Sequence, residues 1–585
     1  MANTRERDIL FKAASVVDGT EHTPAYKADV LVRDGFIHSI QPYGINESDG
    51  SAVDGTTQVI DCEDGKWTLS PGFIDMHAHS DLSLLHTPDH LAKITQGVTT
   101  EVIGQDGISY SPVTDSSMAR IRKQIAGWNG NPTEPSDFFE RWRSVKEYLD
   151  VLDESAIATN AVYLVPQGNL RILVKGWDSS PCSQDEIDSM IEHLHVAFRD
   201  GAVGMSSGLT YVPGMFADDA ELTQLCRVVK QYNGYFCPHH RSYGKGAIQA
   251  YAEMLELARK TSVRLHFTHA TLNFPENAGR ADELIAMIDD ALAEGLDITL
   301  DTYPYLPGST TLSALLPSWV SSADNKVDIL SDPEQLAKIK HQALIEGTDG
   351  CYGCTLNWDI IEIGGVQNAS LAGRYVGKTL GEIAREQDQD PFDTWIDLLK
   401  ADDFGTTIMQ HAGHEDNVRK IMRHRVHTGG SDGILTSTKP HPRGWGSFPR
   451  YVGHYHRDLS QGRSRNILGP KDTSTEKFEV VEPEVIFKGG LEEVVAHLTG
   501  RPAAVLRLQD RGLVKVGYRA DLVLFNADTI LDVATFAVPE RPAAGIRTVL
   551  VNGRFAVDDC KPTGQRAGRT IRLRASGGGE GFSVG

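Results

Sequence analysis

Two hydrophobic rhythms divide the chain. Over the first seventy residues, and again towards the other end, short apolar runs alternate with turn residues: ILFKAASVVDG, ADVLVRDGFIHSI and TQVIDCEDGKWTLS early, GLVKVGYRADLVLFNADTI and IRTVLVNGRFAV late. Such spacing predicts β-strands joined by tight turns. Strands standing alone at either terminus would leave their edges unpaired, so the two ends are expected to pair into a small β-sandwich domain of residues 1–70 and 471–571. Between them, strand-like runs (TTEVIG, NAVYLV, GYFCPHH, VRLHFTHA, LDITLDTYPY, VHTGGSDG) alternate with helical patterns such as TQLCRVVKQY and ADELIAMIDDALAEG. This alternation predicts βα units around a parallel sheet. Eight such units make an α/β fold of the TIM-like (β/α)8 barrel type over residues 71–470, with its chemistry at the C-terminal strand ends. From about Pro317 to Asp402 the rhythm weakens, which predicts a small inserted subdomain (317–402) beside the mouth. Residues 572–585, rich in glycine, are expected to form a flexible tail.

Charge and cysteine usage narrow the function. A formal net charge of −22 over 585 residues argues against nucleic acid or an anionic membrane surface as partner, since either needs clustered Lys and Arg. No apolar run reaches the eighteen or so residues of a membrane span, and MANTRERDILFKAASVVDGT lacks the apolar core of a secretory signal. Seven cysteines, an odd and sparse set, fit reduced thiols in the cytoplasm. Cys351 and Cys354 form a single CxxC with no second pair beside it, which reads as structural. A small-molecule enzyme is the expectation that remains.

The residues that carry chemistry sit where apolar runs end. In PGFIDMHAHSDLSL, Phe73, Ile74 and Met76 read as a buried strand, and His77 and His79, two residues apart, face the same way at its end. TTEVIGQDG delivers Asp106 into a glycine-flanked turn, PHHRSYG delivers His239 or His240, LHFTHATLN delivers His269, and VHTGGSDGIL delivers Asp432. Each alone is ordinary. Together they give four imidazoles and two carboxylates at successive strand ends, a donor set suited to one or two zinc-like ions that would activate water for attack at neutral pH. Asp432, alone at the last strand, is the candidate acid/base.

Longer strings carry a resemblance. PGFIDMHAHSD with GGSDG resembles the amidohydrolase superfamily, and DTYPYLPGST with HPRGWGSFPRYVG resembles its N-acyl-D-amino-acid deacylase (D-aminoacylase) branch; matching stretches run over nearly the whole chain. The resemblance implies zinc, one or two ions per chain, with His77, His79 and Asp432 at the weaker site and His239, His269 and the bridging Asp106 at the tighter one. It prefers His239 over His240, makes Asp432 catalytic, and maps the substrate-carboxylate clamp to Arg443, supported by Tyr303 and Ser309. It also brings Thr271 and Arg241 to the substrate side. The chain departs from the family pattern at three places: Asp106 stands in GQDG where the family has a bridging Cys, Thr271 stands where it has a Lys, and HHRSY replaces HIRDE. The implied reaction is hydrolysis of a linear amide in a small-molecule N-acyl substrate. A cyclic amide or imide hydrolase of the hydantoinase or dihydroorotase kind is the alternative, weakened by the lack of a strand-end Lys to bridge the metals. A non-catalytic scaffold would have lost ligands, whereas all six are retained.

Overall fold

A computed structural model describes residues 7–43, 57–132, 135–465, 478–575 and 582–584. Its centre is a ring of eight parallel strands: β1 (Phe73–Asp75), β2 (Val98–Ile103), β3 (Asn160–Pro166), β4 (Gly204–Gly208), β5 (Tyr235–His239), β6 (Arg264–Phe267), β7 (Ile298–Thr302) and β8 (His427–Gly429). Each pairs with the next in chain order. The first and last strands meet beyond their ends, where Met76 N donates to Gly429 O at 3.1 Å and Asp432 N to His77 O at 2.8 Å. The barrel is thereby nearly closed, and its closing seam runs through two of the predicted site segments.

The helices outside the barrel follow from their periodicity and caps. In Gln184–Asp200, the buried side chains Ile187, Met190, Leu194, Ala197 and Phe198 recur on one face. Ser183 caps the first turn in a reciprocal box with Glu186, a cap of the kind that contributes about 1 kcal/mol, and Gly201, at φ 117°, ends the helix.

The chain ends do meet. Strands Ile9–Val16, Tyr26–Arg33, Phe36–Pro42, Gln58–Asp61 and Thr68–Pro71 share one nine-stranded mixed sheet with Leu522–Phe525, Ile546–Val551, Arg554–Asp558 and Lys561–Pro562. The junction is antiparallel, Leu522 opposite Pro71 and Phe525 opposite Thr68. In LVLF the side chains alternate: Leu522 and Leu524 pack with Phe11, Val30 and Val32, whereas Val523 and Phe525 pack with Phe73 and Val98 of the barrel. Burial on both faces explains an unbroken apolar run.

Beside the barrel mouth, strands Gly308–Thr311, Ile361–Gly365 and Thr407–Gln410 form a three-stranded antiparallel sheet with its own core, which includes Leu312, Trp395 and Leu398. The end of the chain differs from the composition-based expectation of a tail. Thr570–Ile571 pair with β3, Leu573–Ala575 pair with Phe582–Val584, and Leu573 and Val584 are buried in the barrel's outer core. Arg572 anchors this end on Asp150 and Asp153, each at 2.8 Å. Residues 576–581 and 585, and the expected boundary at 470/471, lie outside the described residues.

Candidate metal centre

All six candidate donors emerge at the C-terminal rim. His77 and His79 follow β1, Asp106 follows β2, His239 ends β5, His269 lies just past β6, and Asp432 just past β8. The turn carrying Asp106 is built by glycines: Gly107 has φ +73°, and a Cβ there would come within 2.2 Å of the Gly208 nitrogen on β4. Asp106, His269 and Asp432 themselves hold left-handed backbone, at φ 55°, 31° and 49°. Such conformations cost free energy and persist where the surrounding structure enforces them.

The donors gather into two groups that share one carboxylate. His77, His79, Asp106 and Asp432 form the first, and Asp106, His239 and His269 the second, with the donor atoms of each group within 4.8 Å of one another. His77 Nε2 lies 3.3 Å from His79 Nε2 and 3.6 Å from Asp432 Oδ1. His79 Nε2 lies 3.2 Å from Asp432 Oδ1 and 3.5 Å from Asp106 Oδ2. On the other side, His239 Nδ1 is 3.0 Å from His269 Nε2 and 3.5 Å from Asp106 Oδ2, and His269 Nε2 is 3.4 Å from Asp106 Oδ1. Ligand bonds of about 2.0–2.1 Å in a tetrahedron place donors roughly 3.3 Å apart, so these edges have the size of zinc coordination. Asp106 Oδ1 is buried without a hydrogen-bond partner. Two carboxylates and four imidazoles therefore fit two divalent cations that share Asp106.

Neighbouring hydroxyls aim the rings. His77 Nδ1 meets Thr268 Oγ1, and His239 Nε2 lies 2.8 Å from Thr210 Oγ1, leaving the opposite nitrogen of each ring towards the cluster. His240 faces the other way, fully buried against Tyr243 and Tyr251 at ring distances of 4.0 and 4.1 Å, so strand alternation selects His239.

Electrostatics follow from dense burial. Desolvation holds His77 down to about 4 despite Asp106 and Asp432. Burial also opposes charge on His79, but hydrogen bonds to Asp106 and Asp432 outweigh it and push the ring up to about 10. Burial works against both carboxylates as well. Interaction with His77, His239 and His269 nevertheless holds Asp106 well below the usual carboxylate range, and Arg443, then His77, does the same for Asp432.

Of the residues expected on the substrate side, Tyr303, Ser309 and Thr271 line the small pocket over the donors. Arg443 is fully buried beside them: its Nη1 lies 2.9 Å from Asp432 Oδ2 and its guanidinium 4.5 Å from the Tyr303 ring centre. Arg241 is a correction. Its guanidinium is taken up by Glu253 at 2.9 Å and by the Met215 and Ala217 carbonyls at 2.9 and 2.5 Å, so it braces a loop and does not face the pocket. Cys351 and Cys354 are buried free thiols outside the donor groups, while Tyr352 between them lines the pocket. Trp128, Tyr211 and Tyr243 complete the wall. Sequence reading missed these aromatics because isolated loop aromatics look like core.

A buried ion network beneath the donors was also missed. Asp75, two residues before His77, accepts from Ser431 N at 2.8 Å, Ser431 Oγ at 2.6 Å and Lys93 Nζ at 2.6 Å, thereby joining the β1 and β8 ends. Lys93 also lies 3.4 Å from Glu101, and all three charged side chains are fully buried. Lys93→Met leaves buried Asp75 without its cation, while Glu101 keeps His90 at 2.6 Å, and is expected to lower unfolding free energy by about 3–5 kcal/mol. Urea denaturation measures this; a loss near zero would show that the network does not hold the rim.

Comparisons with known proteins agree with this geometry. A model described as the amidohydrolase family matches residues 58–557. D-aminoacylase of Alcaligenes xylosoxydans xylosoxydans is 30% identical over 577 residues, covering 97% of this chain and 98% of that protein. N-acyl-D-glutamate deacylase of the same organism is 31% identical over 569 residues, covering 97% of each. Among solved structures, N-acyl-D-glutamate deacylase from Bordetella bronchiseptica, complexed with zinc and a phosphonate mimic of the tetrahedral intermediate, superposes with a TM-score of 0.75 at 28% identity, covering 97% of this chain and all 100% of that one.

Proposed function

The chain belongs to the amidohydrolase family, and from that membership we propose that it is a zinc-dependent hydrolase cleaving the linear amide of an N-acyl-D-amino acid, or a related small N-acyl compound, to carboxylate plus amine. The observation that carries this reading is the pair of imidazole groups sharing Asp106, with the buried Arg443 guanidinium 2.9 Å from Asp432. His77, His79, Asp106 and Asp432 would hold one ion and Asp106, His239 and His269 the other. Bound zinc supplies Lewis acidity that polarises a carbonyl and lowers the pKa of water.

The chain's own groups do the rest. Asp432, ionised at neutral pH, takes a proton from the attacking water and delivers it to the departing amine nitrogen. Arg443 receives the substrate carboxylate, for which its fork offers two parallel N–H donors. Burial pushes the Tyr303 phenol up to about 12, against the pull of Arg443, so it stays protonated and can donate to the same carboxylate. Thr271 contributes a hydroxyl where the family pattern has a cation; that hydroxyl donates to Asn273 Oδ1 at 2.7 Å. The clamp therefore rests on one positive charge, Arg443.

Domain and cellular assignments complete the reading. The terminal sheet, with Phe11, Val30, Leu522 and Leu524 on one face, is read as a sandwich domain of residues 1–70 and 471–571 flanking the barrel and its 317–402 insertion. Seven free cysteines support a cytoplasmic location, and no helix among the described residues is long and apolar enough to cross a membrane.

Dialysis against a chelator is expected to abolish hydrolysis of N-acyl-D-amino acids, and zinc to restore it. The same panel should carry N-acyl-L-amino acids and hydantoins. Full activity in metal-free protein would remove the mechanism, and turnover of hydantoins alone would replace the substrate class.

A further inference from the structure

The pocket over the donors is small, about 40 Å³, room for a scissile amide and little else. Against it lies a second cavity of about 440 Å³, within the size range of small-molecule sites. Trp128 and Tyr211 line both spaces. Their rings meet edge to face at 4.7 Å, with Trp128 5.5 Å from the His79 ring and Tyr211 4.8 Å from the His239 ring. This pair is the partition between donors and cavity.

The lining of the cavity is mixed. Ile125, Val212, Met215 and Leu316 are among its apolar residues, and Arg120, Lys123 and Lys326, with Asp324, Asp328 and Asp403, are its charged ones. Most of these charges are already matched: Arg120 contacts Asp324, Lys123 pairs with Asp403 at 2.7 Å, and Asp328 is exposed to solvent. Lys326 is half-buried, 5.7 Å from the Phe404 ring centre, and among the described residues it has no carboxylate within 4.0 Å. Burial, and then the nearby Arg120, push its ammonium down to about 8 against the pull of Asp324 and Asp403.

Arg443 and Tyr303 stand beside Asp432, and the Trp128–Tyr211 pair stands beside His79 and His239. Resting on the hydrolase reading above, we propose that the 440 Å³ cavity beyond the Trp128–Tyr211 pair is the acyl-arm subsite and that it selects arms ending in an anionic group, a carboxylate first, held by Lys326.

The test compares N-hexanoyl-D-leucine, N-(5-carboxypentanoyl)-D-leucine and N-hexanoyl-D-glutamate on the zinc-loaded enzyme and on Lys326→Met and Lys326→Glu. The wild type is expected to favour the carboxylated acyl arm over the hexanoyl arm by about tenfold in kcat/KM, the scale of one hydrogen bond to a charged group. Lys326→Met should remove that preference and leave N-hexanoyl-D-leucine within about twofold, and Lys326→Glu should reverse it. Equal rates for the two acyl arms, a preference untouched by either variant, or a Lys326-dependent gain on the glutamate compound instead would each overturn the assignment. Binding of the same compounds to zinc-free protein, read by tryptophan fluorescence, separates the two levels. Lys326-dependent preference in binding without turnover would sustain the subsite and sink the deacylase reading, whereas turnover without preference would do the opposite.

Discussion

Asp432→Asn is expected to lose about 10³–10⁴-fold in kcat with the fold retained, because the variant keeps the shape of the side chain and removes the group that accepts and returns the proton. The backbone favours retention. Asp432 sits at φ 49°, a left-handed conformation that asparagine adopts more readily than most residues. The hydrogen bond from its N to His77 O, at 2.8 Å, does not involve the side chain. Steady-state kinetics with a circular-dichroism melt decides the matter. Near-normal turnover in a folded, zinc-loaded variant would take the acid/base role away from Asp432.

The second large effect concerns the clamp. Arg443→Met is expected to reduce kcat/KM by about 10²–10³-fold, on the scale of truncating one partner of a buried charge pair, with the loss falling mainly on KM. Stability should fall as well. The fully buried guanidinium lies 2.9 Å from Asp432 Oδ2 and is the charge that most favours the ionised form of that carboxylate. Removing it leaves Asp432 buried without that cation, the situation of Asp75 in Lys93→Met. The melting temperature of the metal-free variant is therefore expected to fall, and an unchanged melting temperature would show that the pair contributes nothing to the fold.

How much of this was legible in the sequence depended on the physical signal. The strand ends carrying His77, His79, Asp106, His239, His269 and Asp432 could be read because each closes an apolar run, and a barrel brings such ends to one rim. β4 could not. Its sequence, GMSSG, has neither branched nor aromatic residues, and it is a strand because β3 and β5 pair with it on both sides and leave it no exposed surface. The choice between His239 and His240 needed coordinates, since a doubled histidine offers one ring to each face of the strand. Arg241 misled because the resemblance carries residue identity and not direction; its partners Glu253, Met215 O and Ala217 O come from separate segments. Lys93 reads as a solvent-facing helix lysine until Asp75 and Glu101, on neighbouring strands, close over it. The aromatic partition likewise joins Trp128 and Tyr211, which are distant in sequence.

Asp106 carries the chain's clearest departure from the family pattern, a carboxylate where a thiolate bridges, and the shared donor position is the claim on which the rest depends. Zinc-soaked crystals measured on both sides of the zinc absorption edge test it most directly. The account predicts anomalous peaks among His77, His79, Asp106, Asp432, His239 and His269, with Asp106 in contact with each ion present. Peaks elsewhere on the molecule, with none among these six side chains, would contradict it.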